Sequence, residues 1–91
     1  MRLKLRLFAP IDAEVGKRDL VVDVKATALP EILRELARTV PGLEGHLMRD
    51  GQLTEHINIF VNGKGIFLEE MASQKVRDGD EVLLMPPITG G

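Results

Sequence analysis

The chain of 91 residues contains no cysteine. It therefore cannot form disulfides, thiolate metal sites or covalent intermediates on a thiol. It has a single serine, Ser73, and no histidine or aspartate stands in a motif relation to it, which argues against a serine hydrolase. The usual side-chain nucleophiles are thus either absent or without partners.

Long apolar runs and an excess of charge of one sign are also missing. No run approaches the roughly 20 residues that span a bilayer, and the N-terminus alternates charge instead of forming the apolar region of a signal peptide. Twelve basic and fourteen acidic side chains give a net charge of -2, which argues against a nucleic-acid-binding surface. We therefore expect a cytoplasmic protein without direct nucleic-acid or membrane contact.

Candidate sites inside the domain are weak. His46 and His56 are ten positions apart with no regular carboxylate spacing, which favours ordinary surface histidines over a metal site. The segment Gly63-Lys64-Gly65 lacks the spacing of a phosphate-binding loop and indicates a turn. We predict no metal, no bound cofactor and no complete catalytic set in the folded part.

The first half of the chain shows two periodicities. Residues 1–8 alternate, with leucines on one side and Arg2, Lys4 and Arg6 on the other, and residues 20–24 alternate again, which predicts an antiparallel hairpin. Residues 9–16 between them indicate a connection. Residues 29–40 carry one apolar stripe and predict an amphipathic helix, with Thr27 as a possible N-cap.

The second half predicts a mixed connection over residues 43–55 with a short helical turn near Leu47, and then three further strands. A strand over residues 56–62 ends at the turn signal Asn62-Gly63. A short strand over residues 66–68 follows, and residues 69–75 indicate irregular structure. Residues 81–85 form the last strand, whose apolar character on both faces predicts a central position beside the first.

One helix must cover one face of one sheet to bury both apolar surfaces. The element order therefore predicts an α+β domain of the β-grasp type. It consists of a mixed sheet of four to five strands with one main helix on one face. We place this domain at residues 1–85 and an extended tail at residues 86–91.

The sheet face opposite the helix is predicted to carry an apolar patch. By strand alternation, Phe8, Phe60, Leu83 and Met85 point away from the helix, with Arg2, Lys4 and Arg6 at the rim. An exposed apolar patch of this kind usually marks a protein–protein site. The alternative is that a bulge shifts the alternation and places some of these side chains in the core.

The tail combines two prolines with two terminal glycines. Pro86 and Pro87 hold the chain extended and cannot donate to a central ladder. The six residues reach on the order of 20 Å, enough to thread a narrow slot in another protein, and they are Pro86, Pro87, Ile88, Thr89, Gly90 and Gly91. Either the Gly91 carboxylate is the reactive group that the domain presents, or the tail is a frayed end.

With these features the chain resembles the MoaD/ThiS family of ubiquitin-like sulfur carriers. The resemblance rests on Val61-Asn62-Gly63, on residues 78–82 (Asp-Gly-Asp-Glu-Val) and on the Pro-Pro-Ile-Thr-Gly-Gly end. It covers essentially the whole chain. The Pro-Pro before Gly-Gly is more similar to the molybdopterin synthase small subunit (MoaD) branch than to the thiamine (ThiS) branch.

The resemblance implies a function for the C-terminus. An E1-like enzyme of the MoeB/ThiF type would use ATP to adenylate Gly91, and the adenylate would become a thiocarboxylate. The tail would then enter the large subunit of molybdopterin synthase (MoaE) and donate sulfur to a pterin precursor. Phe8 and Met85 match positions through which family members bind partners. A thiocarboxylate needs no cysteine, which agrees with the composition.

Two other functions remain open from the sequence. Ubiquitin-like modifiers use the same activated tail to form bonds with protein lysines, and other sulfur carriers use it to deliver sulfur to tRNA. A plain interaction domain with an inert tail is the remaining hypothesis, and it predicts that Gly91 is dispensable.

Overall fold

The computed structural model describes residues 1–87, with backbone alone for Leu68. The predicted tail residues Ile88, Thr89, Gly90 and Gly91 lie outside this range. The elements in chain order are β1 (Arg2–Leu7), α1 (Ile11–Val15), β2 (Asp19–Asp23), α2 (Leu29–Thr39), α3 (Glu44–Leu47), β3 (Met48–Arg49), β4 (Gln52–Leu53), β5 (Asn58–Val61), β6 (Lys64–Gly65), α4 (Leu68–Met71) and β7 (Glu81–Met85).

Five strands form one mixed sheet in the order β2-β1-β7-β5-β6. β1 and β2 pair antiparallel, as the alternating pattern predicts. β7 lies at the centre, parallel to β1 and antiparallel to β5. Its central position is confirmed, and it follows from its apolar residues on both faces.

Helix α2 covers one face of the sheet and buries its apolar stripe there. Its buried side chains join those of β1, β5 and β7 in one core, whose largest fully buried members are mostly leucines. Pro30 lies in the first turn, where a missing N–H leaves no intrahelical bond unmade. The β-grasp prediction of one main helix on a mixed sheet is therefore confirmed.

The start of α2 differs from the prediction. Ala28 rather than Thr27 is the N-cap, and no side chain caps the helix. The backbone N–H of Leu29 donates instead to the carbonyl of Gln74 at 3.1 Å, and Val76 N–H donates to Thr27 O at 3.1 Å. A neighbouring segment thus supplies the partner that a capping side chain would otherwise provide.

Three local predictions are wrong. The connection at residues 9–16 contains the short helix α1, and residues 69–75 contain part of α4. The short strand predicted at residues 66–68 is β6, two residues earlier. Asn62 and Gly63 form a two-residue hairpin turn, with φ of 50° and 84°. The strand after such a turn pairs from its first residue, so Lys64 lies opposite Val61.

The connection over residues 43–55 contains the predicted helical turn, α3, and also a hairpin. Asp50 and Gly51 have φ of 53° and 78° and join β3 to β4. Asp-Gly is a strong hairpin signal, so this element could have been found from the sequence. Met48 and Leu53 of the hairpin pack against the core, which closes the end of the domain near α3.

Candidate partner surface and tail exit

The sheet face opposite α2 brings the predicted patch residues together on neighbouring strands. Leu83 of β7 pairs with Arg6 of β1 on one side and with Phe60 of β5 on the other. Phe60 is paired in turn with Gly65 of β6, where an added Cβ would come within 3.3 Å of the Phe60 ring. The absence of a side chain at position 65 therefore leaves space for the ring.

The other two apolar members lie at the end of this face where β7 finishes. Met85 is the last residue of β7 and pairs with Asn58, while Phe8 directly follows β1 and its N–H donates to Leu84 O at 3.2 Å. We call Phe8, Phe60, Leu83 and Met85 the outer-face patch. All four are half-buried, while the alternate positions of β7, Val82 and Leu84, are fully buried. Strand alternation thus holds through β7, and a role in partner binding stays a prediction.

Two of the three basic side chains at the rim of the patch, Arg2 and Arg6, lie beside carboxylates of β2. Arg6 Nε donates to Asp19 Oδ1 at 2.8 Å, and Arg2 Nε lies 3.6 Å from Asp23 Oδ1. The hydrogen bond to Asp19 and the charge of that carboxylate raise the pKa of Arg6. Lys4 lies between Val21 and Glu81 in the same row of the sheet. Charges of both signs therefore alternate here, so apolar contact is the property that distinguishes this face.

The tail leaves the sheet at the same end as Met85. β5 begins at Asn58, the partner of Met85, and β1 ends at Leu7, the partner of Leu84. Beyond Met85, the Asn58 side-chain Nδ2 donates to the carbonyl of Pro86 at 3.3 Å. Pro86 is half-buried and Pro87 is exposed. No sequence pattern indicates this contact of Asn58, because it depends on the register of β5 against β7.

The remaining candidates do not form a site. His46 Nε2 lies 3.2 Å from Glu14 Oε2 at the contact between α3 and α1. His46 and His56 line one surface cleft with Arg49 and Thr54, yet no group of three metal-ligating side chains forms among the residues that the structure describes. Of the segment Gly63-Lys64-Gly65, Gly63 lies in the turn after β5, whereas Lys64 and Gly65 form β6, so the predicted turn is correct only at its first residue. No helix within residues 1–87 is long and apolar enough to cross a membrane.

This mixed sheet with its single covering helix is the β-grasp fold of ubiquitin-like proteins. Residues 5–91 match the ThiS family. The chain belongs to this family of ubiquitin-like sulfur carriers, as its tail and turn motifs predict. The match includes the four terminal residues beyond the described part.

Relatives of known name match the chain over its whole length. Small archaeal modifier protein 3 of Haloferax volcanii is 36% identical, with 100% of both chains covered. A protein of Archaeoglobus fulgidus that is named as a sulfur carrier is also 36% identical, again with 100% of both covered. The family therefore includes relatives named as modifiers and relatives named as carriers.

Solved structures support the same fold. The crystal structure of SAMP1 from Haloferax volcanii has a TM-score of 0.81 and 32% identity, with 100% of both chains covered. A complex of subunits 1 and 2 of the molybdopterin-converting factor from Helicobacter pylori contains a chain with a TM-score of 0.64 and 26% identity, with 100% of both covered. Related chains thus occur in complexes with a partner subunit.

Proposed function

We propose that the reactive group of this protein is the Gly91 carboxylate, which an adenylating enzyme activates with ATP. The observation that carries the proposal is the Pro-Pro-Ile-Thr-Gly-Gly end, placed directly after the central strand in a chain that matches the ThiS family through Gly91. The tail begins beside the outer-face patch, so one partner could contact both. A cytoplasmic location remains a prediction.

The chemistry suits a terminal glycine. A carboxylate is a poor electrophile, so its oxygen first attacks the α-phosphorus of ATP and pyrophosphate leaves. A sulfur nucleophile such as hydrosulfide then attacks the acyl carbon, AMP leaves, and a thiocarboxylate remains. Gly91 has no side chain to obstruct either attack, and Gly90 lets the backbone pass a narrow channel.

For the destination of the sulfur we propose molybdopterin synthesis, with this chain as the small subunit of the synthase. The Pro-Pro-Ile-Thr-Gly-Gly ending and the 26% identical chain in the Helicobacter pylori complex support this choice. A large subunit of the MoaE type would then receive the tail, and the outer-face patch would bind it. The adenylating partner would be of the MoeB/ThiF type.

Mass spectrometry of the intact protein tests the activation step. The full chain is incubated with ATP, hydrosulfide and the adenylating enzyme from the same genome, and a product is expected in which one oxygen is replaced by sulfur. A chain lacking Gly91 serves as the control and should gain no sulfur. If the full chain also gains none, while the enzyme thiolates another carrier, the proposed function is wrong.

A second destination is favoured by the names of the relatives. Two chains at 36% and 35% identity over essentially the full length are small archaeal modifier proteins. The same acyl adenylate would then be transferred to lysine amines and form isopeptide bonds. Gly-Gly remnants on lysines in digests of cell extracts would favour this destination, and pterin conversion by a reconstituted complex with a large subunit would favour the first. Transfer of sulfur to tRNA is the third possible outcome.

A further inference from the structure

The end of the central strand combines two prolines with one side-chain hydrogen bond. Neither Pro86 nor Pro87 has an N–H, so neither can donate a ladder hydrogen bond to a neighbour of β7. Among the hydrogen bonds of residues 1–87, the one that reaches past Met85 runs from Asn58 Nδ2 to Pro86 O. A side chain therefore takes over where the backbone ladder ends.

Few rotations remain at this point of the chain. The proline rings fix φ near −65° at positions 86 and 87. Because Met85 and Pro86 each precede a proline, their ψ values are restricted to the extended region. Within that region, ψ of Pro86 sets the direction of the Pro86 carbonyl. The hydrogen bond from Asn58 favours the value of ψ that points this carbonyl at Asn58 Nδ2.

A small rotation here has a large effect at the terminus. Five residues follow Pro86, and a fully extended segment of that length reaches about 17 Å. A change of direction at Pro86 therefore shifts the positions that the terminal carboxylate can reach by several ångströms. An adenylating enzyme must place that carboxylate within about 3 Å of a phosphorus atom.

We propose that Asn58 is a positioning residue that aims the C-terminal tail, through its hydrogen bond to the Pro86 carbonyl. The proposal rests on the proposed reactivity of Gly91. Asn58 does not touch the reacting atoms. Its effect is to raise the fraction of molecules whose tail already points in the direction that the activating enzyme requires.

The kinetic test uses two near-isosteric substitutions, Asn58→Leu and Asn58→Asp, which both remove the donor. If only a fraction of molecules is competent, the apparent binding constant rises by the inverse of that fraction. Loss of one hydrogen bond corresponds to a factor of about 3 to 10. We therefore expect KM of the carrier in ATP–pyrophosphate exchange to rise about 3- to 10-fold in both variants, with kcat unchanged.

The control is Asn62→Asp, a change at the opposite end of β7. Asn62 Nδ2 donates to Asp80 Oδ1 at 2.9 Å, and its Oδ1 accepts from Glu81 N–H at 2.9 Å. This variant loses stability without touching the tail exit, so its KM should match that of the wild type. A KM increase in Asn62→Asp as large as in the Asn58 variants would overturn the proposal, as would an unchanged KM in Asn58→Leu.

NMR of the free, full-length protein separates positioning from direct contact with the enzyme and does not depend on activation. Residual dipolar couplings of the Cα–Hα bond of Pro87, whose direction ψ of Pro86 sets, should shrink in Asn58→Leu and stay unchanged in Asn62→Asp. Couplings in Asn58→Leu equal to those of the wild type would overturn the proposal, whatever the kinetics show. If the wild type is not adenylated but its couplings behave as expected, the proposed function fails and the orienting role of Asn58 stands.

Discussion

Leu83 of β7 lies directly opposite Phe60 of β5 on the sheet face that points away from α2. Both side chains are half-buried, whereas Val82 and Leu84, on the other face of β7, are fully buried. The central strand therefore has a core side and a second apolar side. This second side continues towards Met85, where the tail begins, so recognition of the domain and capture of the tail could occur on one continuous surface.

The centre of the outer-face patch should govern partner affinity. We expect Leu83→Glu to weaken binding of the adenylating enzyme or the large subunit by about tenfold or more, because it places a carboxylate at an apolar contact. Isothermal titration calorimetry with the purified partner measures the effect. Thermal unfolding of the variant shows whether the domain is intact.

The matched control for this change is Val21→Glu. Val21 is 67% exposed on the edge strand β2 and faces the same side of the sheet through its pairing with Lys4. The same charge is added there without entering the outer-face patch, so we expect less than a twofold change in affinity. Equal losses for the two variants would show that net charge, and not the patch, controls binding.

Reactivity at the terminus should be sensitive to a change of one residue. Adding an alanine after Gly91, or deleting Gly91, moves or alters the carboxylate that we propose to be adenylated. We expect ATP–pyrophosphate exchange to fall by about 100-fold, since misplacement of a reacting group by about 1 Å can cost that much. Gly45→Ala, in α3, changes a glycine away from the tail and should leave the exchange rate unaltered. Full activity of the extended chain would contradict the proposed function.

Among the glycines that the structure describes, Gly42 should tolerate substitution least. Its φ is 95°, and an added Cβ would come within 2.8 Å of the backbone oxygen of Glu14 in α1. We expect Gly42→Ala to lower the free energy of unfolding by about 2 to 4 kcal/mol, because left-handed strain and overpacking add. Denaturant unfolding monitored by circular dichroism measures the loss.

Gly16→Ala separates these two causes. Gly16 has φ of 90°, yet an added Cβ would have nothing within 4 Å. We expect it to cost only the strain, about 1 to 2 kcal/mol. If the two variants unfold at the same denaturant concentration, the close contact between Gly42 and α1 does not exist in solution.

Glu35 should make stability depend on pH. Its carboxylate accepts hydrogen bonds from the backbone N–H groups of Lys25, at 2.9 Å, and Ala26, at 3.1 Å. Burial is the largest single influence on its pKa and acts to raise it. The two backbone bonds and the charges of Arg38 and Lys25 together outweigh burial and hold the pKa below its usual value of 4.5.

The sign of the pH effect follows from this lowered pKa. The unfolded chain binds the Glu35 proton more readily than the folded one, so the contribution is present above about pH 4.5 and is lost as pH falls through the lower folded pKa. We expect Glu35→Gln to destabilise by about 1 kcal/mol at pH 7 and by progressively less towards pH 3. Denaturant unfolding at several pH values measures the difference. A difference that grows as pH falls would contradict this role.

Regular periodicity allowed most of the fold to be predicted. The alternation in β1 and β2, the stripe of α2 and the doubly apolar β7 each follow from one rule of burial, and each lies where the pattern predicts. Among the short elements, α3 was predicted, but the others were missed or displaced. α1 and α4 are too short to show a helical period, and β6 was displaced because the turn at Asn62-Gly63 sets the pairing, not the apolar pattern.

The candidate site could likewise be predicted from the sequence only in part. Alternation alone predicted the outward direction of Phe60, Leu83 and Met85. Alternation could not predict the ion pair between Arg6 and Asp19, because that pair depends on the register of β1 against β2. The start of α2 likewise depends on Gln74, which is distant in sequence and becomes a partner only after folding.

The sequence by itself determined the class of protein, because burial patterns and the Pro-Pro-Ile-Thr-Gly-Gly end are local properties of the chain. The tertiary structure alone decided which side chains meet. Strand register placed Leu83 against Phe60 and brought Asn58 to the Pro86 carbonyl, across 28 positions of the sequence. The physical reason is that a hydrogen bond or a cross-strand contact needs two groups within a few ångströms, and only folding fixes that distance.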